Sequence, residues 1–248
     1  MTVVAVLADP PRPGLVLPDL AETTPLSPDD AAALYTATLK DTARAVERSG
    51  GDLLVNYRPA DLLPDEHVGD TSSEAELRAL VGEALDDVTD VRFEEQVGST
   101  FSARAGNTAA HLLREEGVDS VAVTRGTAPL LTRPVIDSAA MKLRQNQTVL
   151  GPSTRGRTYY AGFTAPIDYA DAFEGAELET LVDRANDAGH HTEFLPMHVG
   201  VETAADLRDL LPVLWSRIAA ERVVPEHVAT FVHDRGLRVR DDEIVVDD

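Results

Sequence analysis

The sequence predicts an α/β fold, a three-layer α/β/α sandwich around a mixed, mostly parallel sheet. Three observations carry this. Short β-branched runs alternate with amphipathic helical stretches from Thr2 to Arg144, the rhythm of parallel strands joined by covering helices. Thr148–Gly151 and Thr158–Phe163 are then separated only by a polar, glycine-bearing turn, so one strand–turn–strand unit interrupts the crossovers and makes the sheet mixed. Finally, 248 residues with 43% hydrophobic content suffice for one sizeable core.

Each element follows from local chemistry. Thr2–Ala8 is a buried strand, broken by the loop Asp9-Pro-Pro-Arg-Pro-Gly14. Ser27 caps a helix with Pro28 at its first position and two acids in its first turn, and Gly50-Gly51 ends it. Asp52–Tyr57 is the second strand and Pro59–Thr71 a loop; Ser73–Asp86 is a helix with Leu77, Leu80, Val81 and Leu85 on one face. Val91–Gln96 is a strand, and a helix from about Ser102 to Glu116 carries Arg104, Asn107 and His111. The apolar run from Val121 leads through Arg125-Gly-Thr-Ala-Pro129 into a helix that starts at Thr132-Arg-Pro and reaches Arg144. Beyond the strand pair, Leu178–Ala188 is helical, Thr192–Met197 extended, Thr203–Ala219 and Val224–Arg235 helical, and Leu237–Val246 a closing strand or hairpin. Residues 1–220 form the α/β domain and 221–248 an extension packed on it.

The charge restricts the partners. With 43 acidic against 22 basic residues the formal net charge is −21, a field that repels nucleic acid and anionic membranes. Acids spread along the whole chain, with cations that are nearly all arginine, fit a protein adapted to high salt. Cysteine is absent, which excludes disulfides and thiolate metal sites. No apolar run approaches the roughly 18 residues of a membrane span, and the N-terminus opens on a strand without a basic leader; the expected location is cytoplasmic. The oligomeric state is open.

In open α/β sheets ligands gather beyond the carboxyl ends of the strands, which singles out Arg125, Gly126 and Thr127 and the loop after the first strand. No carboxylate follows the Val121 strand. His190, His191 and His198 are close in sequence but lack metal-site spacing, and Asn146-Gln-Thr148 is a chance-level glycosylation triplet. Of Tyr159 and Tyr160, one is expected to pack inward and one to face a ligand or solvent.

Motif order across Val3 to Leu214 resembles the glycosyltransferase-A-like (GT-A) family of selenodomain-associated transferases, relatives of nucleotidyltransferases that guanylylate phospholactate. Pro11-Arg-Pro-Gly14, Ala32-Ala-Leu-Tyr35 with Asp41, Gln96–Arg104, Arg125–Pro129, Gly151–Tyr159 and Glu202-Thr-Ala-Ala-Asp-Leu207 stand where that family has its motifs. The resemblance implies a nucleotide-diphospho-sugar transferase fold and a nucleotide or other phosphorylated small molecule as ligand. It also implies that Thr127 and Arg155 replace two family aspartates and Arg157 a glycine, so that the family-type Mg²⁺ or Mn²⁺ centre is lost and no cofactor is expected. The implied phosphate-binding set is Arg12, Gly14, Arg104, Arg125, Gly126, Thr127, Arg155, Gly156 and Arg157, with Glu202 the surviving acid and candidate catalytic group. Two readings remain open: a divergent glycosyl- or nucleotidyltransferase using arginines in place of a metal, and an inactive GT-A-fold module whose arginines pair with surface carboxylates.

Overall fold

The computed structural model describes residues 2–247. Seven strands form the main sheet in the order β3-β2-β1-β4-β6-β5-β7: β1 (Thr2–Ala8), β2 (Asp52–Tyr57), β3 (Arg92–Glu95), β4 (Ser120–Arg125), β5 (Thr148–Pro152), β6 (Thr158–Phe163) and β7 (Thr192–Phe194). All neighbours pair in parallel except β6, which is antiparallel to both β4 and β5. The strand–turn–strand unit therefore enters the middle of the sheet.

Both faces are covered, and the strands show it at period two. Val4, Val6 and Ala8 of β1 pack into one cluster, under α1 (Pro18–Thr23), α2 (Pro28–Glu47), α3 (Ser73–Ala84), α5 (Arg133–Leu143) and α7 (Ala204–Ala219). Val3, Ala5 and Leu7 pack into the other, under α4 (Phe101–Arg114) and α6 (Glu177–Asp187). This also corrects one expectation. Tyr159 and Tyr160 are both buried, because the strand that alternates them lies inside a sheet with no solvent face.

The short helix α1 was not apparent in the sequence: its N-cap is Leu17, in a left-handed conformation (φ 48) with no side-chain cap, so the usual start signal is missing. The C-terminal segment forms α8 (Glu226–Asp234) and the hairpin β8 (Leu237–Arg240) and β9 (Glu243–Val246), whose two-residue turn holds Asp241 and Asp242 at positive φ. Val228, Val232, Leu237 and Ile244 belong to the same buried cluster as α2 and α7. Asp41 ties the segment down, accepting the backbone N–H groups of His227 (3.0 Å) and Val228 (2.9 Å) at the start of α8.

Candidate functional site

The carboxyl ends of the parallel strands deliver polar and charged residues: Asp9 after β1, Arg58 after β2, Gln96 after β3 and Arg125 at the tip of β4. Helix α4 starts just beyond β3, capped by Thr100, and its first turn brings Arg104 to the same edge. Arg58 Nη1 lies 3.7 Å from Asp9 Oδ1, and its Nε donates to the Leu62 carbonyl at 2.7 Å. The Asp9 N–H donates to the Tyr35 hydroxyl at 3.0 Å, which fixes the backbone where β1 ends. Burial raises the Asp9 carboxyl above its ordinary range, against the pull of Arg58 and Arg104. Burial, and then the charge of Arg58, lower the Arg104 pKa.

Arg104 is only 9% exposed, yet among the described residues no carboxylate answers it within ion-pair distance. One Nη1 contact to the Ser99 carbonyl is long, at 3.4 Å, and its Nε is buried without an acceptor.

The other sequence-derived arginines do not converge on this edge. Arg12 turns to α3 and the loop before it, donating to Glu76 (2.8 Å), to the Thr71 carbonyl (2.8 Å) and to the His67 carbonyl, and so clasps two loops together. Arg125 makes a two-pronged pair with the buried Glu177 (2.8 and 3.1 Å) and lies 4.2 Å over the Phe101 ring. Glu177 also accepts from the Thr158 N–H and hydroxyl, both at 3.0 Å. Arg155 is exposed at φ 61 with no ion-pair partner among the described residues.

Arg157 sits between acids. It donates to both Asp206 oxygens (2.6 and 2.7 Å), to the Thr154 hydroxyl (2.9 Å) and to Glu202, while the Thr127 hydroxyl donates to the other Glu202 oxygen at 2.8 Å. Asp206 closes a capping box with Thr203 at the start of α7. Its carboxyl is held below the ordinary range: burial opposes this, but the hydrogen bonds from Arg157 and Thr154 outweigh it.

Of the three candidate glycines, Gly14 and Gly156 hold left-handed turn conformations (φ 80 and 73). Gly126 answers to packing: a Cβ there would lie 2.9 Å from the Tyr35 hydroxyl oxygen.

The architecture matches solved structures. A protein of Desulfovibrio desulfuricans G20, provisionally named a nucleotide-diphospho-sugar transferase, superposes with a TM-score of 0.75 at 20% identity over 94% of each chain. The fold is that of a nucleotide-diphospho-sugar transferase. A cytidylyltransferase of Leptospira borgpetersenii serovar Hardjo-bovis (strain JB197) shares it more loosely, with a TM-score of 0.50 at 10% identity over 94% of each chain. No family model matches the sequence, and no curated protein matches it.

At the positions where the GT-A resemblance implies a lost metal centre, Glu202 and Asp206 hold a guanidinium, and the Thr127 hydroxyl donates a hydrogen bond to Glu202. Among the described residues no group of three or more His, Asp or Glu side chains is placed to hold a metal. His198 stacks on Tyr159 at 4.9 Å, and His190 meets the buried Thr148 hydroxyl at 2.9 Å.

The sequence reading had not picked Arg58, although the strand-end rule that selects Arg125 applies equally to the residue after β2. Asp9 and Glu177 were passed over because their significance depends on which arginine each one faces.

Proposed function

We propose that the protein is a divergent nucleotide-sugar or nucleotidyl transferase-like protein that binds a nucleotide or another phosphorylated small molecule without a Mg²⁺ or Mn²⁺ centre. The ligand sits in the crevice beyond the carboxyl ends of β1, β2 and β4. The observation that carries this is Arg104: a buried guanidinium with an unmet N–H, beside Arg58, at the edge where open α/β sheets bind their ligands. The transferase names of proteins with the same fold support a nucleotide-type ligand.

Catalysis, if carried out, works by positioning and by fixed positive charge at Arg58 and Arg104. Glu202 is held by Thr127 and Arg157, and that contact favours the second reading, a binding module on a transferase scaffold. Calorimetric titration with UDP- and GDP-sugars and with nucleoside monophosphates in molar KCl, with and without Mn²⁺, tests both. Binding that is independent of Mn²⁺ supports the proposal; strictly Mn²⁺-dependent binding refutes the metal-free site, and no binding at all refutes the ligand. Turnover of a bound nucleotide sugar separates enzyme from module.

A further inference from the structure

The cations of the crevice differ sharply in how far they are neutralised. Glu76 answers Arg12, Glu177 answers Arg125, and Glu202 with Asp206 answers Arg157. Arg155 is solvent-exposed with no ion-pair partner among the described residues, and two further guanidiniums remain beside the ends of β1 and β2. Arg104 has no carboxylate partner among the described residues, and Arg58 meets Asp9 only at 3.7 Å. The Thr108 hydroxyl donates to Asn56 Oδ1 at 2.8 Å and so fixes α4 against β2, which sets Arg104, one turn before Thr108, towards the strand end that carries Arg58; the charge of Arg58 accordingly lowers the Arg104 pKa, after burial. Two like charges at a buried corner, one with an N–H that no acceptor meets, is an arrangement that an incoming anion relieves.

We infer that Arg58 and Arg104, with Asp9 as the competing acid, form a receptor for a single phosphomonoester group, as in a sugar phosphate or a nucleoside monophosphate. The inference rests on the reading above that this crevice takes a phosphorylated ligand. A phosphomonoester concentrates close to two negative charges on one phosphorus centre, which suits two guanidinium forks converging on one corner. A diphosphate or triphosphate extends further along the strand ends. There Arg125 and Arg157 are already matched by carboxylates and Arg155 is solvent-exposed, so a second phosphate gains only a screened charge and faces Glu177 or Glu202.

The surroundings agree with an anion. The first turn of α4, like that of α5, carries no acid, so the positive end of this fourteen-residue helix is left unneutralised beside Arg104. The other polar groups at the corner are engaged: the Tyr35 hydroxyl with the Asp9 N–H, and the Gln96 amide with the Asn56 and Ala8 carbonyls at 2.7 and 3.3 Å. Asp9 is the carboxylate that faces Arg58, and a bound phosphate has to share Arg58 with it.

The test is calorimetry at constant ionic strength, in phosphate-free and metal-free buffer, with inorganic phosphate, CMP, glucose 1-phosphate, UDP-glucose and CTP. The expected result is that CMP or glucose 1-phosphate binds more tightly than UDP-glucose and CTP, and which of the two prevails identifies a nucleoside monophosphate or a sugar phosphate. Arg104→Met and Arg58→Met each weaken binding at least about tenfold, the loss expected for a charge-assisted hydrogen bond. Arg104→Lys retains part of the affinity. Asp9→Asn tightens binding severalfold, a change of opposite sign that misfolding of a variant cannot produce. Tighter binding of UDP-glucose or CTP overturns the phosphomonoester assignment and leaves the nucleotide reading standing. Phosphomonoester binding that survives both methionine variants places the site elsewhere and overturns the inference. Failure of every ligand to bind overturns the inference and the proposed function together.

Discussion

Arg157 illustrates how one side chain settles the character of its neighbourhood. Its guanidinium is shared by Glu202, Asp206 and Thr154, and the Asp206 side chain is fully buried. Removing one partner of a buried pair strands the other charge, so Arg157→Ala should cost about 3–5 kcal/mol. Urea unfolding at neutral pH measures this; a loss under about 1 kcal/mol, the scale of an exposed pair, would contradict it. Acid should act through the same contact. The Asp206 pKa is depressed in the folded protein, so its contribution is complete above the ordinary carboxylate value of 3.8 and is lost as the pH falls from there through the folded pKa. Asp206→Asn should therefore be less stable at neutral pH and flatter in its stability between about pH 4 and about pH 2 than the parent. Asp9 has the opposite sign. Its pKa is raised by burial, so the cost of its charge is absent below 3.8 and grows as the pH rises through the folded value, and Asp9→Asn should be neutral or stabilising near pH 7.

Among the elements, α8 depends most on a residue far away in sequence. Asp41, near the end of α2, supplies the acceptor for two N–H groups at the α8 N-terminus, where Pro225 provides no side-chain cap. Asp41→Ala should destabilise by about 1–2 kcal/mol, in the range of a lost N-cap. Hydrogen exchange locates the effect: amides of α8 and of the β8–β9 hairpin should lose protection before those of β1 and β4. Equal loss across the sheet would show that the segment unfolds only with the whole. Asp41 also marks a limit of motif reading. The resemblance places it among family motif residues, but its contacts are structural, and only the fold brings residues 41 and 227 together.

For the molecule as a whole the governing quantity is a charge of −21. Self-repulsion of dispersed carboxylates opposes compactness, and salt screens it, with the Debye length falling to about 3 Å at 1 M. The thermal midpoint should rise when KCl goes from about 0.1 M to about 2 M and level off where screening saturates. A midpoint that is flat or falling with KCl would refute the high-salt reading. No helix among the described residues is long and apolar enough to cross a membrane.

The seven strands of the main sheet and seven of the eight helices among the described residues were legible because each rests on short-range chemistry: β-branched runs, period-3.6 faces, Ser27 as a cap, Gly50-Gly51 as a stop. The exception, α1, starts at a left-handed leucine with no side-chain cap, leaving Pro18 and Asp19 in its first turn as weak signals. The site was legible only in part. The strand-end rule led to Arg125, and motif order led to Arg104 and Arg157, but residue type alone does not tell a free arginine from a neutralised one. That difference is made by carboxylates 49 to 64 residues away: Glu76 for Arg12, Glu177 for Arg125, Asp206 for Arg157. The sequence by itself determined the elements, the alternation that buries both sheet faces and the excess of acid. Only the tertiary structure decided which acid meets which arginine, because an ion pair depends on distance in space. By that measure it left buried Arg104, and exposed Arg155, without a carboxylate partner among the described residues.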